Sequence, residues 1–225
     1  MGKKLKIDLG KKSYNIFIGK DNLNKIGEMI KRKLPAVEKT FVISNPTVFP
    51  LYGEQVLKSL KEARLDPSYG LIPDGEEYKS LEYAEPLYDK LIEHEMDRSS
   101  LIISLGGGVI GDLAGFVAAT YMRGINFVQL PTTLLAQVDS SSGGKVAVNH
   151  KSGKNLIGSF YQPAFVLIDV STLKSLAKEE FTSGLAEVIK HGMALDHDYF
   201  YYIEQNLEAI LNLDPSILEK LIQGS

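Results

Sequence analysis

The chain has 225 residues, of which 44% are hydrophobic and 24% are charged, and its formal net charge at pH 7 is −3. That length accommodates one large domain, or one domain and part of a second, and the composition is typical of a globular protein with a buried core. The near balance of charges gives no reason to expect nucleic acid or an anionic membrane as a partner. The lack of cysteine excludes disulfides, thiolate nucleophiles and cysteine-based zinc sites.

Two stretches bear on location. The N-terminal residues MGKKLKID carry charge but no apolar segment follows them, so no secretory signal is expected. Residues 101–122 approach membrane-spanning length, yet they contain five glycines and the central Asp112, which favours a strand, a turn and a helix over a bilayer span. We therefore expect a cytoplasmic protein without a membrane partner.

The first hundred residues alternate short apolar runs with longer amphipathic stretches. Strands are predicted at residues 5–9, 14–19, 41–44 and, as a strand end, 71–73. Helices are predicted from their apolar spacing at residues 21–33, about 51–64 and 79–96. Asp21 is the predicted cap of the first helix.

Between residues 100 and 169 the apolar runs read as buried strands. They are predicted at residues 100–105, 127–130 and 165–168. The helix after the first of them is predicted to begin near Gly111 or Asp112. Strands alternating with helices indicate a Rossmann-like α/β fold, with a doubly wound, mostly parallel sheet covered on both faces.

The chain changes character after Asp169. Residues 173–222 carry helical spacing and almost no strand signal, which indicates the start of an all-helical domain. We place the domain boundary between residues 1–172 and 173–225. Apolar helical spacing persists almost to Ser225, so the second domain is expected to be truncated.

The strongest local signal is the run GGGVIGD at residues 106–112, between a predicted strand and a predicted helix. It satisfies the spacing G-x-G-x-x-G, in which glycines let backbone N–H groups approach a pyrophosphate at a helix N-terminus. It departs from the usual dinucleotide fingerprint, because it follows a later strand and no acidic residue lies about twenty positions on. A glycine-rich turn that only packs a helix on a sheet is the alternative.

The run PDGEEYK at residues 73–79 follows a strand end. Its carboxylates and Lys79 are suited to ribose hydroxyls at the carboxyl edge of a sheet. A plain turn before a charged helix start is the alternative.

Hydroxyls, glycines and basic residues crowd between residues 131 and 155. Residues 131–145 follow a strand, which is where ligands bind in open α/β sheets. The cationic polar stretch that follows is suited to a phosphate or a carboxylate and consists of Lys145, His150, Lys151, Lys154 and Asn155. A Walker A motif is excluded, because neither glycine-preceded lysine is followed by Ser or Thr. A solvated loop is the alternative.

The run GLAEVIKHG at residues 184–192 falls on a predicted helix. Glu187 and Lys190 lie three residues apart on one face. Glu187 and His191 lie four apart and could share a metal. A plain surface pair of Glu187 with Lys190 is the alternative. His94 and His197 have no partner at ligand spacing and are interpreted as surface residues.

Taken together and in this order, these segments resemble the amino-terminal portion of the 3-dehydroquinate synthase family of sugar-phosphate cyclases. The matching segments are residues 73–79, 106–116, 121–124, 131–145, 154–158 and 184–192. The resemblance spans nearly the whole chain, and several of the motifs are long and unusual. It implies that residues 1–172 form an NAD-binding domain and that residues 173–225 begin a helical domain for metal and substrate.

The resemblance implies NAD and a divalent metal, zinc or cobalt, as cofactors. The residues that it implies for NAD are Asn45, Asp74, Gly75, Glu76, Glu77, Tyr78, Lys79, Gly107, Gly108, Val109, Ile110, Gly111, Asp112, Thr132, Thr133, Lys145, Lys154, Thr172, Leu173, Lys174 and Ser175. Asn45 stands where relatives often have an aspartate for the adenine ribose, and an amide is a weaker partner there.

The resemblance also implies residues for the substrate and the metal. Those implied for a sugar-phosphate substrate are Arg123, Asp139, Lys145, Lys154, Asn155 and Lys190. Glu187 matches a metal ligand of the family, whereas the position of His191 is not a ligand. The other two ligands of the family are histidines beyond the position of Ser225. The chain by itself is therefore expected to have little or no activity.

The implied activity converts 3-deoxy-D-arabino-heptulosonate 7-phosphate to 3-dehydroquinate and phosphate, a step of the shikimate pathway to aromatic amino acids. It would proceed by transient oxidation by NAD, phosphate elimination, re-reduction and intramolecular aldol closure. A homodimer is implied for the full-length protein, with Arg123 serving a neighbour. The open alternatives are another sugar-phosphate cyclase, a related polyol dehydrogenase and a non-catalytic NAD-binding fragment. Relatives with other products tend to change the residues that match Asn155 and Lys190, so the first of these alternatives is disfavoured.

Overall fold

The computed structural model describes residues 3–225. Met1 and Gly2, which belong to the predicted first domain and to the N-terminal segment expected to carry no signal, lie outside the described residues. The strands are β1 (Lys3–Ile7), β2 (Tyr14–Gly19), β3 (Lys39–Ser44), β4 (Asp66–Leu71), β5 (Leu101–Gly106), β6 (Asn126–Pro131), β7 (Lys145–His150), β8 (Gly153–Phe160) and β9 (Phe165–Asp169). The helices are α1 (Ile26–Lys33), α2 (Phe49–Glu62), α3 (Leu81–Glu93), α4 (Gly108–Thr120), α5 (Lys178–Leu195), α6 (His197–Gln205), α7 (Leu207–Leu211) and α8 (Pro215–Gly224). None of the helices in this described range is both long and apolar enough to cross a membrane.

One large sheet holds seven of the strands, in the order β1-β2-β9-β6-β5-β3-β4. Neighbouring strands run parallel except β1, which pairs antiparallel with β2. The central strands β5, β6 and β9 are buried almost throughout, as strands covered on both faces must be. The predicted α/β fold with a mostly parallel, doubly wound sheet is confirmed.

The chain reverses its progress across the sheet at β3. From β3 it moves outward to β4 and then returns to β5 on the other side of β3. The loops after β3 and β5 therefore diverge at the carboxyl edge of the sheet, where Ser44 and Gly106 end the two strands. A crevice at such a switch point is the usual ligand position in open α/β sheets.

Side-chain alternation along the strands separates the two faces of the sheet. Phe41 and Ile43 of β3 join a hydrophobic cluster with Leu87 of α3. Val42, between them, joins a second cluster with Leu60 of α2 on the opposite face. Burial of each such side chain contributes about 1.5–3 kcal/mol, so these two clusters hold the sheet and its carboxyl edge in place.

The helices from α5 onward cover the other half of the sheet, on the same face as α3. Ile18 of β2 and Ile168 of β9 share a cluster with Leu185 of α5, Ile203 of α6 and Leu221 of α8. The predicted helical character of residues 173–222 is confirmed. Their division from the sheet as a separate domain stays a prediction.

Several helix and strand boundaries differ from the predictions. α4 begins at Gly108, three residues before the nearer predicted start, because glycine is tolerated in a first helical turn although it disfavours a helix interior. Asp21 does not cap a helix: its φ is 54°, its side chain accepts a hydrogen bond from Ser171, and α1 begins only at Ile26. β1 lies two residues earlier than predicted, and exposed Leu9 falls outside it. The predicted helix at residues 79–96 is the shorter α3.

The sequence patterns missed the body of β4 and the antiparallel β7–β8 hairpin. β4 is an edge strand on which Gly70 is the one buried residue, so it lacks an apolar alternation. Val146 and Val148 of β7 are buried beneath α4, and a Cβ on Gly115 of that helix would collide with Val146. The segment is therefore a hairpin instead of a loop, although its predicted polar stretch is solvent-exposed, and the close contact with α4 positions the hairpin beside the crevice.

Candidate functional site

A cavity of about 680 Å³ lies over the crevice at the carboxyl edge of the sheet, and we call it the crevice cavity. Its volume is within the range of about 300–1,000 Å³ that small-molecule sites occupy. The predicted NAD-binding residues that line it are Asn45, Asp74, Gly75, Glu76, Lys79, Gly107, Gly108, Val109, Ile110, Asp112, Thr132, Thr133 and Ser175. The fold thus brings together segments that are far apart in the sequence.

The glycine turn forms one wall of the crevice cavity. Gly107 is the residue before α4, and within residues 3–225 no side chain makes a capping hydrogen bond to this helix start. The first N–H groups of α4 are therefore left for solvent or a ligand, and the helix end favours an anion. A Cβ on Gly107 would lie 3.0 Å from Thr133 Cγ2, and one on Gly108 would lie 3.0 Å from Ser140 Oγ. A side chain at either position would therefore lie too close to Thr133 or Ser140 in the wall of the crevice cavity.

Two buried hydroxyls in the lining have no hydrogen-bond partner among the described residues. They are Thr132 Oγ1, just after β6, and Ser140 Oγ. Leaving a buried polar atom unpaired costs about 1–3 kcal/mol. A polar ligand in the crevice cavity would supply the partners.

An ion-pair network centred on the buried Lys79 ties the loop after β4 to α4. Lys79 is 5% exposed, and its Nζ donates to Asp112 Oδ2 at 2.9 Å and lies 3.1 Å from Glu76 Oε1. Burial raises the pKa of Asp112, and the hydrogen bond from Lys79 opposes that rise only in part. Burial acts to raise the pKa of Glu76 too, but hydrogen bonds from Asn149 and Lys79 outweigh it and lower that pKa. The ammonium of Lys79 is thus shared between two carboxylates at the cavity wall.

Asn45 and Asp74 hold the neighbouring loops in place. Asn45 Oδ1 accepts a hydrogen bond from the backbone N–H of Val48 at 2.8 Å, at the entry to α2. Asp74 Oδ2 accepts one from Thr47 Oγ1 at 2.7 Å. These bonds join the loops after β3 and β4 along one side of the crevice cavity.

Some predicted NAD-binding residues do not line the crevice cavity. They are Glu77, Tyr78, Gly111, Lys145, Lys154, Thr172, Leu173 and Lys174. Thr172 and Leu173 are buried outside the lining of the crevice cavity. Thr172 Oγ1 accepts a hydrogen bond from Gln137 Nε2 at 3.0 Å. The roles assigned to these residues stay predictions.

A second cavity, of about 520 Å³, lies beneath the β7–β8 hairpin, and we call it the hairpin cavity. The predicted substrate residues Asp139, Lys145 and Asn155 all line it. Asp112 and Ser140 line both cavities, so the two adjoin. Cationic, amide and carboxylate groups therefore converge next to the glycine turn.

Three of the predicted substrate residues, Arg123, Lys154 and Lys190, line neither cavity. Arg123 is exposed in the short turn after α4, with a φ of 65°. Lys154 is exposed on β8, and its charge contributes to the lowered pKa of Glu76. The structure does not bring Arg123 together with the other predicted substrate residues of this chain.

Three possible metal ligands meet between α5 and the turn before the hairpin. Asp139, Glu187 and His191 each offer a ligand atom, and these atoms lie within 4.8 Å of one another. His191 Nε2 lies 3.0 Å from Glu187 Oε1, and Lys190 donates a hydrogen bond to the same carboxylate. The bond from Lys190 is the main cause that lowers the pKa of Glu187. Carboxylate and imidazole groups together suit zinc or cobalt.

Comparison with known proteins identifies the family. The profile of the family 3-dehydroquinate synthase N-terminal matches residues 70–183, just over half of the chain. The chain belongs to the 3-dehydroquinate synthase family. It is 55% identical over 97% of its length to the 3-dehydroquinate synthase of Pelotomaculum thermopropionicum, and 48% identical over 98% to that of a Picosynechococcus species. It spans 59% and 60% of the length of these two relatives.

Several solved structures share the fold. A 2-deoxy-scyllo-inosose synthase in complex with carbaglucose-6-phosphate, NAD+ and Co2+ matches 99% of the chain and 61% of its own, with a TM-score of 0.83 and 26% identity. A 2-epi-5-epi-valiolone synthase from Streptomyces hygroscopicus with NAD+ and Zn2+ matches 94% and 59%, with a TM-score of 0.81 and 26% identity. An iron-containing alcohol dehydrogenase from Thermotoga maritima, at 16% identity over 93% of the chain and 64% of its own and a TM-score of 0.73, shares the fold.

Two residues with evident structural roles at the site escaped the sequence analysis. Ser140 is one of several hydroxyl residues in the segment 131–145, and it lines both cavities. Asn149 hydrogen-bonds to Glu76, and it lies on a strand that the sequence patterns did not predict. Its amide carries no local sequence signal, because its partner is more than seventy residues away.

Proposed function

We propose that this chain is the nucleotide-binding portion of a 3-dehydroquinate synthase, which converts 3-deoxy-D-arabino-heptulosonate 7-phosphate to 3-dehydroquinate and phosphate. The observation that carries the proposal is the adjacency of the two cavities in a member of this family. One has an uncapped helix start behind a glycine turn, and the other combines the cation of Lys145 with amide, hydroxyl and carboxylate side chains. A dinucleotide and a sugar phosphate would meet at the wall formed by Asp112 and Ser140.

Two observations support NAD in the crevice cavity. The uncapped N–H groups at the start of α4 are suited to a pyrophosphate. The unpartnered hydroxyls of Thr132 and Ser140 offer hydrogen bonds to the rest of a dinucleotide. Bound there, NAD supplies reversible hydride transfer at one carbon of the sugar.

The hairpin cavity supports binding of the sugar phosphate. Lys145 would form a charge-assisted hydrogen bond to the phosphate and stabilise the charge that builds on it as it leaves. Asn155 and Asp139 would orient the sugar, the amide as donor and acceptor and the carboxylate as an acceptor from hydroxyls. Because both residues line the hairpin cavity, they would hold the substrate beside the crevice cavity.

The donors around Glu187 support a divalent metal. Glu187 would hold the ion, and Asp139 and His191 are the further donors nearest to it among the described residues. A bound ion would polarise a substrate hydroxyl and lower the cost of its deprotonation. The hydrogen bond from Lys190 lowers the pKa of Glu187 and so favours the ionised carboxylate, which is the state that binds a cation.

Another sugar-phosphate cyclase is the second candidate, because two such enzymes share the fold at 26% identity. The curated relatives at 52–55% identity are 3-dehydroquinate synthases, which favours the first candidate. Asn155 and Lys190 also match that family rather than its relatives with other products.

Two experiments test the proposal. Calorimetric titration of NAD into this chain should give saturable binding with a Kd below about 1 mM; no heat at millimolar NAD would contradict the nucleotide site. The natural protein that contains this chain should release phosphate from the heptulosonate phosphate and form 3-dehydroquinate. Release of phosphate from glucose 6-phosphate but not from the heptulosonate phosphate would favour the second candidate.

We also propose cytoplasmic location and a homodimer of the full-length protein. The exposed position of Arg123, outside both cavities, supports a role at the site of a neighbour. The chain spans about three-fifths of the length of its relatives, so we propose that turnover needs the remaining portion that they have.

A further inference from the structure

Asn149 bridges the walls of the two cavities without lining either. It is half-buried near the end of β7, at the irregularity in the pairing of that strand with β8. Nothing in the chemistry proposed above uses it. Its contacts reach the loop after β4 on one side and the start of β8 on the other.

On the crevice side, Asn149 holds the turn that contains Glu76 and Lys79. Its Nδ2 donates to Glu76 Oε1 at 2.8 Å and to the Glu76 carbonyl at 3.2 Å. Its backbone N–H donates to the carbonyl of Lys79 at 2.7 Å. The side chain and the main chain of Asn149 are therefore both engaged with this turn.

On the hairpin side, Asn149 fixes the backbone of Asn155. Asn149 Oδ1 accepts a hydrogen bond from the Asn155 N–H at 2.9 Å. Asn155 has a φ of 57°, in the left-handed region where a residue other than glycine needs local support. The Asn149 amide thus uses its donor group on one cavity wall and its acceptor on the other, which neither alanine nor an ionised aspartate can reproduce.

We propose that Asn149 is a positioning residue that couples the two cavities. Ligand contact with the loop that carries Glu76 is transmitted through the Asn149 amide to the backbone of Asn155, where the hairpin receives the sugar phosphate. The inference rests on the proposed function, because it takes that loop as part of the nucleotide site and Asn155 as part of the substrate site. By thermodynamic linkage, a sugar phosphate held by the hairpin would in turn tighten the nucleotide site.

Amide hydrogen exchange at Asn155, followed by NMR with and without saturating NAD, tests this coupling. In the unaltered chain, NAD should slow the exchange of this amide by about fivefold to tenfold. In Asn149→Ala, NAD should still bind, with its Kd by calorimetry raised by no more than that same factor of about fivefold to tenfold, but the slowing should be lost. Asn206→Ala is the matched control, because it removes an amide hydrogen bond to the Tyr202 carbonyl in the helical part, and it should keep the slowing.

An exchange of donor and acceptor provides the rescue. Asn149→Asp keeps the acceptor for the Asn155 N–H but sets two carboxylates against each other, so NAD should no longer slow the exchange. Adding Glu76→Gln restores one donor, one acceptor and the original net charge at this contact, and the slowing should return. A residue that merely supports the fold would not make the exchange of Asn155 depend on NAD.

The outcomes separate the coupling from the proposed function. Slowing that persists in Asn149→Ala would overturn the coupling, as would absence of slowing in an unaltered chain that binds NAD; in both cases the proposed function stands. An unaltered chain that shows no NAD binding by calorimetry would overturn both.

Discussion

The walls of the two cavities are formed by different kinds of structural element. The crevice cavity is walled by strand ends, the start of α4 and the buried Lys79, so the fold of the sheet determines its shape. The hairpin cavity is walled by exposed side chains such as Lys145 and Asn155 on a two-stranded hairpin, with the Glu187 cluster beside it. Packing of the core fixes the main-chain groups of the crevice cavity in position. The exposed side chains of the hairpin cavity instead need local hydrogen bonds, such as those that Asn149 makes, to hold their position.

The largest effect should come from breaking the buried network on the crevice side. Lys79→Met leaves the partly buried carboxylates of Asp112 and Glu76 without their shared cation, and the loss should lie at the lower end of the range of about 3–5 kcal/mol that holds for a buried ion pair. We expect urea unfolding at pH 7 to show a loss of about 3 kcal/mol. The difference from the unaltered chain should shrink as pH falls, because the variant raises the pKa of Asp112 further and proton uptake then removes the unpaired charge.

Lys58→Met is the control for that variant. Lys58 forms an exposed pair with Glu62 on α2, and its removal should cost no more than about 0.5 kcal/mol. Equal losses in the two variants would show that the network around Lys79 is no more important to stability than a surface pair.

A side chain in the glycine turn should affect one cavity alone. Gly108→Val would press against Ser140 and crowd the start of α4, so we expect the Kd for NAD to rise about 100-fold, or about 2.7 kcal/mol. Calorimetry gives the Kd, and Thr120→Val at the other end of α4 should leave it unchanged. Unaltered NAD affinity in a folded Gly108→Val chain would show that the turn does not form the nucleotide site.

The hairpin cavity should respond to loss of one charge. Lys145→Ala removes a charge-assisted hydrogen bond, so affinity for the heptulosonate phosphate should fall about tenfold, or about 1.4 kcal/mol, in titrations of the natural protein. Lys151→Ala removes a lysine from the exposed hairpin turn, outside both cavities, and should have no such effect. Equal losses from the two substitutions would indicate general charge attraction instead of a site.

The smallest effect concerns the carboxylate of Glu187. Lys190→Ala removes the hydrogen bond that chiefly lowers the pKa of this residue, so its pKa should rise, as carboxyl NMR titration can measure. A carboxyl whose pKa is lower in the folded than in the unfolded state stabilises the fold at pH above the unfolded-state pKa. This stabilisation is lost as the pH falls through the folded-state pKa. Because the variant has less of it, the variant should lose less stability on acidification. Lys178→Ala, at the start of α5, is the control and should leave the pKa of Glu187 unchanged. An unchanged pKa of Glu187 in Lys190→Ala would contradict the assigned cause of its shift.

The contrast between the cavities also explains what could be predicted from the sequence. The apolar runs predicted β5, β6 and β9, because buried parallel strands need nearly continuous apolar residues. The glycine run indicated the crevice cavity, because close approach of a ligand to the main chain requires small residues, and these form a local sequence pattern. Each of these signals is contained within a few consecutive residues of the chain.

The hairpin side could not be predicted in the same way. β8 is largely exposed and has no apolar alternation, so its polar residues resembled a loop. The meeting of Asp139 with Glu187 and the link between Asn149 and Glu76 join residues that are distant in sequence, and only the fold creates them. The resemblance to the family indicated most of these residues, but not their contacts.

A crystal structure of this chain with NAD tests the central claim most directly. The account predicts pyrophosphate density at the N–H groups that begin α4, with Thr132 and Ser140 in hydrogen-bonding contact with the dinucleotide. Density for NAD elsewhere on the chain, with the glycine turn left to solvent, would contradict it.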